Sequence, residues 1–207
     1  MSSIDKPADI RRGEELPLDR LSTYLGNALS ETSGTIEISQ FPSGFSNLTY
    51  LVSFSGRDMV LRRPPFGKKA KSAHDMKREY LMLECLKPFF PLCPSPVLLC
   101  TDESVMGCDF YLMERIKGII LRKNLPEGMN LSRADARQLC HNLVKVQADL
   151  HSVDYHKAGL AGHGKPEGYV RRQIEGWSGR YRDARTPDVP DFEDVMGWLA
   201  GSMPADY

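Results

Sequence analysis

A chain of 207 residues with 41% hydrophobic and 26% charged residues is long enough to bury a core and too apolar to stay disordered. Twenty-seven basic residues balance twenty-seven acidic ones, so no overall field draws DNA, RNA or an anionic membrane, while small polar or phosphorylated ligands stay open. No apolar run approaches bilayer length and the leading MSSIDKPADIRRGEE has no signal-peptide core, so a cytoplasmic chain is expected.

The leading residues read as a polar, frayed segment. From 16 to 29, Leu16, Leu18, Leu21, Tyr24, Leu25 and Leu29 recur at helical spacing. Ser33 and Gly34 break that helix, and 35–40 alternates as a strand does. Residues 41–63 then read as a small-residue loop, a strand over 48–54, a tight turn around Gly56 and a returning strand over 59–63 that Pro64 and Pro65 stop. Strand alternation places Val60 and Arg62 on one face and Met59, Leu61 and Arg63 on the other. Ser43, Gly44, Ser46 and Asn47 can offer backbone N–H groups and short polar side chains to phosphate, with Arg62 as a nearby cation. An ordinary surface hairpin is the competing reading of the same residues.

Ser72 and Asp75 have the spacing of a helix start, and Met76, Tyr80, Leu83 and Leu86 give 72–87 an apolar stripe. Glu79 falls on the stripe's side, where a carboxylate is costly unless a cation meets it; a solvated rim position is the alternative. Beyond the prolines at 88, 91, 94 and 96, two strands over 97–101 and 110–116 are expected to form a hairpin turning at Gly107, for a sheet of five. Helices dominate afterwards. Ser132 and Asp135 again mark a helix start, with Leu139, Leu143, Val146 and Leu150 as the stripe of a core helix. Pro166 opens a helix carrying Val170, Ile174, Trp177 and Tyr181, and Phe192, Val195, Trp198 and Leu199 mark a last short one. Between 165 and 185 six basic residues outnumber three acidic ones, which suits either a solvated helix face or an anionic ligand. Five cysteines, odd in number and widely spaced, read as reduced thiols, and His151 and His156 lack further metal ligands at workable spacing.

This order of elements resembles the first lobe and the start of the second lobe of the protein-kinase-like fold. More closely it is similar to the aminoglycoside phosphotransferase family, in the branch of kinase-like domains associated with acyl-CoA dehydrogenases, through SGFSNLTYLV, MVLRRPP, KREYLMLECL, FYLMERIKG, LHSVD, PEGYVRRQIEGW and VMGWL. The resemblance implies an α+β fold: an antiparallel-sheet N-lobe over 1–117 and the first helices of a mainly helical C-lobe over 118–207. It implies that Ser43, Gly44, Phe45, Ser46 and Asn47 cover the phosphates of ATP, that Arg62 is the strand cation, and that Glu79 is its helix partner, joined through a bidentate fork. Met113, Glu114 and Ile116 correspond to the hinge, where backbone groups of Glu114 and Ile116 would hold adenine while Val60 packs on its face. Arg171, Arg172 and Arg180 become candidates for the anionic part of a small hydroxyl-bearing substrate such as a hydroxyacyl-CoA.

The family's H-G-D-x-x-x-x-N loop, and the metal-binding Asp after it, would supply the proton-accepting Asp and the Mg2+ ligands, and no H-G-D occurs in these residues. The chain is therefore expected to be the N-terminal part of such an enzyme and inactive alone, with Mg2+ expected only together with that loop and self-association expected through the helices left uncovered. The alternative is a non-catalytic module that binds nucleotide or protein.

Overall fold

The computed structural model describes residues 6–30, 35–42, 47–67, 74–121, 124–126, 128–165 and 167–205. From residue 6 onward the leading segment is stitched to the sheet rather than frayed. Ala8 exchanges two backbone hydrogen bonds of 2.8 and 2.9 Å with Gln40, the Gln40 amide accepts from the Arg11 N–H and donates to Glu14, and the Tyr50 hydroxyl donates to the Glu14 carbonyl at 2.8 Å. Polarity alone suggests a free leader; a buried glutamine on the adjoining strand supplies the partners that hold it.

Helix α1 (Leu18–Ala28) buries Leu21 and Leu25, one turn apart on one face. Strands β1 (Ile36–Gln40), β2 (Leu48–Phe54) and β3 (Arg57–Arg63) form a meander. Ser55 and Gly56 both take positive φ, 48° and 76°, the hand that matches the twist of a two-residue hairpin. Helix α2 (Met76–Leu86) starts at Asp75, whose side chain accepts from the Arg78 N–H; Ser72 lies outside the described residues. Strand β4 (Pro96–Cys100) and strand β5 (Phe110–Glu114) pair antiparallel, and the sheet runs β1-β2-β3-β5-β4.

The expected turn at Gly107 is more elaborate. A one-turn helix α3 (Glu103–Met106), capped by Asp102 at its start and by left-handed Gly107 at its end, joins the two strands and buries Val105 and Met106. Asp102 reads as a loop residue until its cap is seen.

Sheet alternation divides the molecule's chemistry. On one face Tyr50, Val52, Met59, Leu61, Phe110 and Leu112 join Leu21, Leu25, Val105 and Met106 in the core. On the other lie Val60 and Arg62 of β3 and, as their cross-strand partners, Met113 and Tyr111 of β5. The adjacent arginines part accordingly: Arg63, 4% exposed, stacks on Phe66 with its guanidinium carbon 3.8 Å from the ring centroid, whereas Arg62 takes the opposite face.

Helix α4 (Arg133–His151) begins with a capping box of Ser132 and Asp135. None of its residues is buried, so the stripe expected in a core faces solvent, with Leu143 68% exposed. Helices α5 (Tyr169–Ala184) and α6 (Glu193–Gly201) follow; Pro166 lies outside the described residues. Compactness separates Met1–Ala158, which includes α4, from Gly159–Tyr207. Among the described residues the five cysteines form no disulfide.

Candidate functional site

The face of the sheet opposite the core carries the candidate site. Alternation along β3 and β5 presents Val60, Arg62, Tyr111 and Met113 there, and α2 lays Glu79 against them. Together with Arg78, Met82 and Leu83 of α2, the residues Arg62, Glu79, Tyr111 and Met113 line a recess of about 290 Å3.

Glu79 is held from three directions. Asn47 Nδ2 donates to its Oε1 at 2.7 Å, the Tyr111 hydroxyl donates to its Oε2 at 3.0 Å, and Arg62 Nε stands 3.3 Å from the same Oε2. Because Asn47 spends its NH2 on the carboxylate, its Oδ1 must be the atom 2.6 Å from His74 Nδ1, so that ring nitrogen carries a proton and donates. Burial foremost, and the Glu79 carboxylate with it, drives the Tyr111 hydroxyl well above its ordinary range, while Arg62 opposes them. The hydroxyl stays a donor.

The bidentate fork expected of Arg62 and Glu79 is not formed. Each carboxylate oxygen already accepts from an uncharged donor, and Arg62 Nε, although buried, makes no hydrogen bond among the described residues. The ion pair is thus held by charge at close range rather than by directed bonds. True forks exist elsewhere, as between Arg182 and Glu193 at 2.7 and 2.6 Å.

At the end of β5, the Glu114 N–H donates to the Ser95 carbonyl at 2.8 Å. Its carboxylate accepts from the Ser95 N–H and hydroxyl, which together hold it below its ordinary range. Ile116 lies beyond the strand, 58% exposed. Val60, 9% exposed, sits beside Met113 as its register partner. Of the small-residue loop only Asn47 belongs to the described residues; Ser43, Gly44, Phe45 and Ser46 lie outside them.

The three arginines of the second compact unit each have a local partner. Arg171 Nη1 is 3.5 Å from Glu175 Oε1, Arg172 donates to the carbonyls of Lys165 and Glu167, and Arg180 lies 4.6 Å from the Trp177 ring centroid. Among the described residues no group of three His, Cys, Asp or Glu side chains is placed to hold a metal.

Sequence reasoning passed over Tyr111 and His74. Tyr111 was within reach: two residues before Met113 on one strand, it had to share that residue's face. His74 was not, because its contact depends on a left-handed backbone, φ 64°, just before α2.

The model of a family described as "Phosphotransferase enzyme family" matches residues 37–207. The chain is 34% identical over 205 residues to acyl-CoA dehydrogenase family member 11 of Gallus gallus, spanning 96% of this chain and 26% of that protein. It is 35% identical over 196 residues to acyl-CoA dehydrogenase family member 10 of Mus musculus, spanning 94% and 18%. A solved structure from Ralstonia eutropha JMP134, provisionally described as an aminoglycoside phosphotransferase, superposes with a TM-score of 0.74 at 30% identity over 93% of this chain and 56% of that one. The chain therefore spans about a quarter or less of these two curated relatives.

Proposed function

The chain belongs to the phosphotransferase enzyme family, and from that premise we propose that it forms the nucleotide-binding part of an ATP-dependent kinase acting on a hydroxyl of a small metabolite. The observation that carries this reading is the Arg62–Glu79 pair, framed by Asn47 and Tyr111 on the open sheet face. A nucleotide fits that donor set: one cation whose buried Nε has no hydrogen bond among the described residues, beside the apolar Val60 and Met113. Bound ATP supplies the phosphoryl group. Glu79 keeps Arg62 extended across the face, and Arg62 attracts phosphate oxygens. Ser43, Gly44, Phe45 and Ser46, with Asn47, cover them through backbone N–H groups. Val60 receives the face of the base. Since the Glu114 N–H is committed to Ser95, the hinge role falls to the Glu114 carbonyl and to the backbone of Ile116.

In this reading residues 1–117 are the N-lobe, 118–207 begin the C-lobe, and Mg2+ would be held by the Asn of an H-G-D-x-x-x-x-N loop and a following Asp, neither of which occurs in these residues. The acyl-CoA dehydrogenase names of the relatives favour a hydroxyacyl-CoA as acceptor. Arg171 and Arg180 suit its anionic part, since their present contacts are an exposed ion pair and a ring face that exchange readily; Arg172, tied to two carbonyls, is the least free of the three. No helix of the described residues is long and apolar enough to cross a membrane; a cytoplasmic site of action is part of the proposal. Incubating the product of the whole reading frame with γ-labelled ATP and a hydroxyacyl-CoA tests the proposal. Label is expected on the acyl-CoA; ATP binding with no transfer to any hydroxyl acceptor would favour a non-catalytic binding module.

A further inference from the structure

The segment after β5 is gripped from two sides by side chains that the nucleotide reading does not use. On one side Glu114 is fixed to Ser95, with Lys87 Nζ 3.7 Å away. On the other, Asp58 near the start of β3 accepts from Arg115 Nη1 at 2.6 Å and lies 3.8 Å from Lys117 Nζ. Asp58 is itself immobilised, because Ser53, its cross-strand partner on β2, donates a hydroxyl hydrogen bond of 2.7 Å to Oδ1. That bond from Ser53, outweighing burial and joined by Arg115, holds the Asp58 carboxyl below its ordinary range. The Arg115 side chain is 15% exposed against 65% for Lys117, so the Arg115 contact is the one that solvent screens least. Ile116 stands between these two residues. Its side chain is 58% exposed, and its backbone goes where its neighbours are held.

We propose that Asp58 is a positioning residue which, through Arg115, fixes the backbone of residues 114–116 and thereby sets affinity for the base of a nucleotide rather than for its phosphates. The proposal rests on the hinge role assigned above to Glu114 and Ile116. Backbone groups have no rotamers with which to adjust, so a hinge that reads a base edge must be ordered before the ligand arrives or lose affinity in becoming ordered. Arg115 ties that hinge to the hairpin of β2 and β3, among the best-paired parts of the sheet.

The test compares ATP with inorganic tripolyphosphate, which has phosphates and no base, by calorimetry on the product of the whole reading frame. Asp58→Asn is expected to weaken ATP about tenfold, the equivalent of one lost hydrogen bond, and to leave tripolyphosphate and the thermal midpoint unchanged. Asp58→Glu, which keeps a carboxylate for Arg115, recovers most of the loss. Arg115→Gln, which leaves the hairpin's own bonds intact, shows the same selective loss. Unchanged ATP affinity in Asp58→Asn and Arg115→Gln, or an equal loss for both ligands, overturns the proposal while leaving the nucleotide site standing. A wild-type protein that binds no ATP removes the hinge reading and this proposal together.

Discussion

Glu79 is reached by two uncharged donors as well as by its cation, and that arrangement separates its effect on stability from its effect on function. The side chains of Arg62 and Glu79 are 32% and 31% exposed, a range in which an ion pair contributes about 0–1 kcal/mol to folding. Their value lies in where they leave the guanidinium. Tyr111 is the residue that decides this, since its hydroxyl takes the same Oε2 that faces Arg62. Tyr111→Phe adds no unsatisfied donor and leaves Glu79 Oε2 partly exposed beside Arg62, so its thermal midpoint is expected within a few degrees of wild type. Freed of that bond, Glu79 can turn toward Arg62 and draw its charge away from the phosphates that the proposal places there. The KM for ATP is then expected to rise about tenfold, as for one hydrogen bond to a charged group. An unchanged KM in steady-state assays would show that Glu79 does not need Tyr111.

Elements position these residues, and the joint between β4 and β5 is the most exposed to test. Gly107 ends α3 at φ 74°, its N–H bonded to the Glu103 carbonyl at 2.6 Å. A Cβ there would meet no atom within 4 Å, so Gly107→Ala is expected to lose about 1–2 kcal/mol through left-handed backbone strain alone. Gly107→Asn should lose less, and urea unfolding reads both. Equal stability of Gly107→Ala and wild type would mean that the chain closes this connection another way. Most of the fold was legible because it obeys two periods: alternation assigned β2 and the division of Arg62 from Arg63, and helical spacing found α1, α2, α4, α5 and α6. What escaped is non-periodic. The slip in register between Pro96 and Leu98 against β5, the single turn of α3, and the stitching of the leader to Gln40 each arise from tertiary partners. At the site, the face shared by Val60 and Arg62 and the inward side of the helix carrying Glu79 were legible, whereas the bonds that fill Glu79's oxygens in place of the fork were not.

At the scale of the whole molecule, the sheet has a finished core while the later helices do not. Leu143 of α4 is 68% exposed, Trp177 of α5 63% and Trp198 of α6 67%, large apolar side chains of the kind that favour association. The 207-residue chain is accordingly expected to self-associate, seen as a sedimentation coefficient that rises with concentration and falls back in Leu143→Gln and Trp198→Gln. A monomer at every concentration would contradict that. Whether the open face of the sheet holds a nucleotide through Arg62 and Glu79 is decided by titrating ATP into the product of the whole reading frame and into its Glu79→Gln variant. Glu79→Gln removes the charge and keeps the shape, so ATP affinity is expected to fall at least about tenfold with the thermal midpoint nearly unchanged. Equal ATP affinity in the two proteins would contradict it.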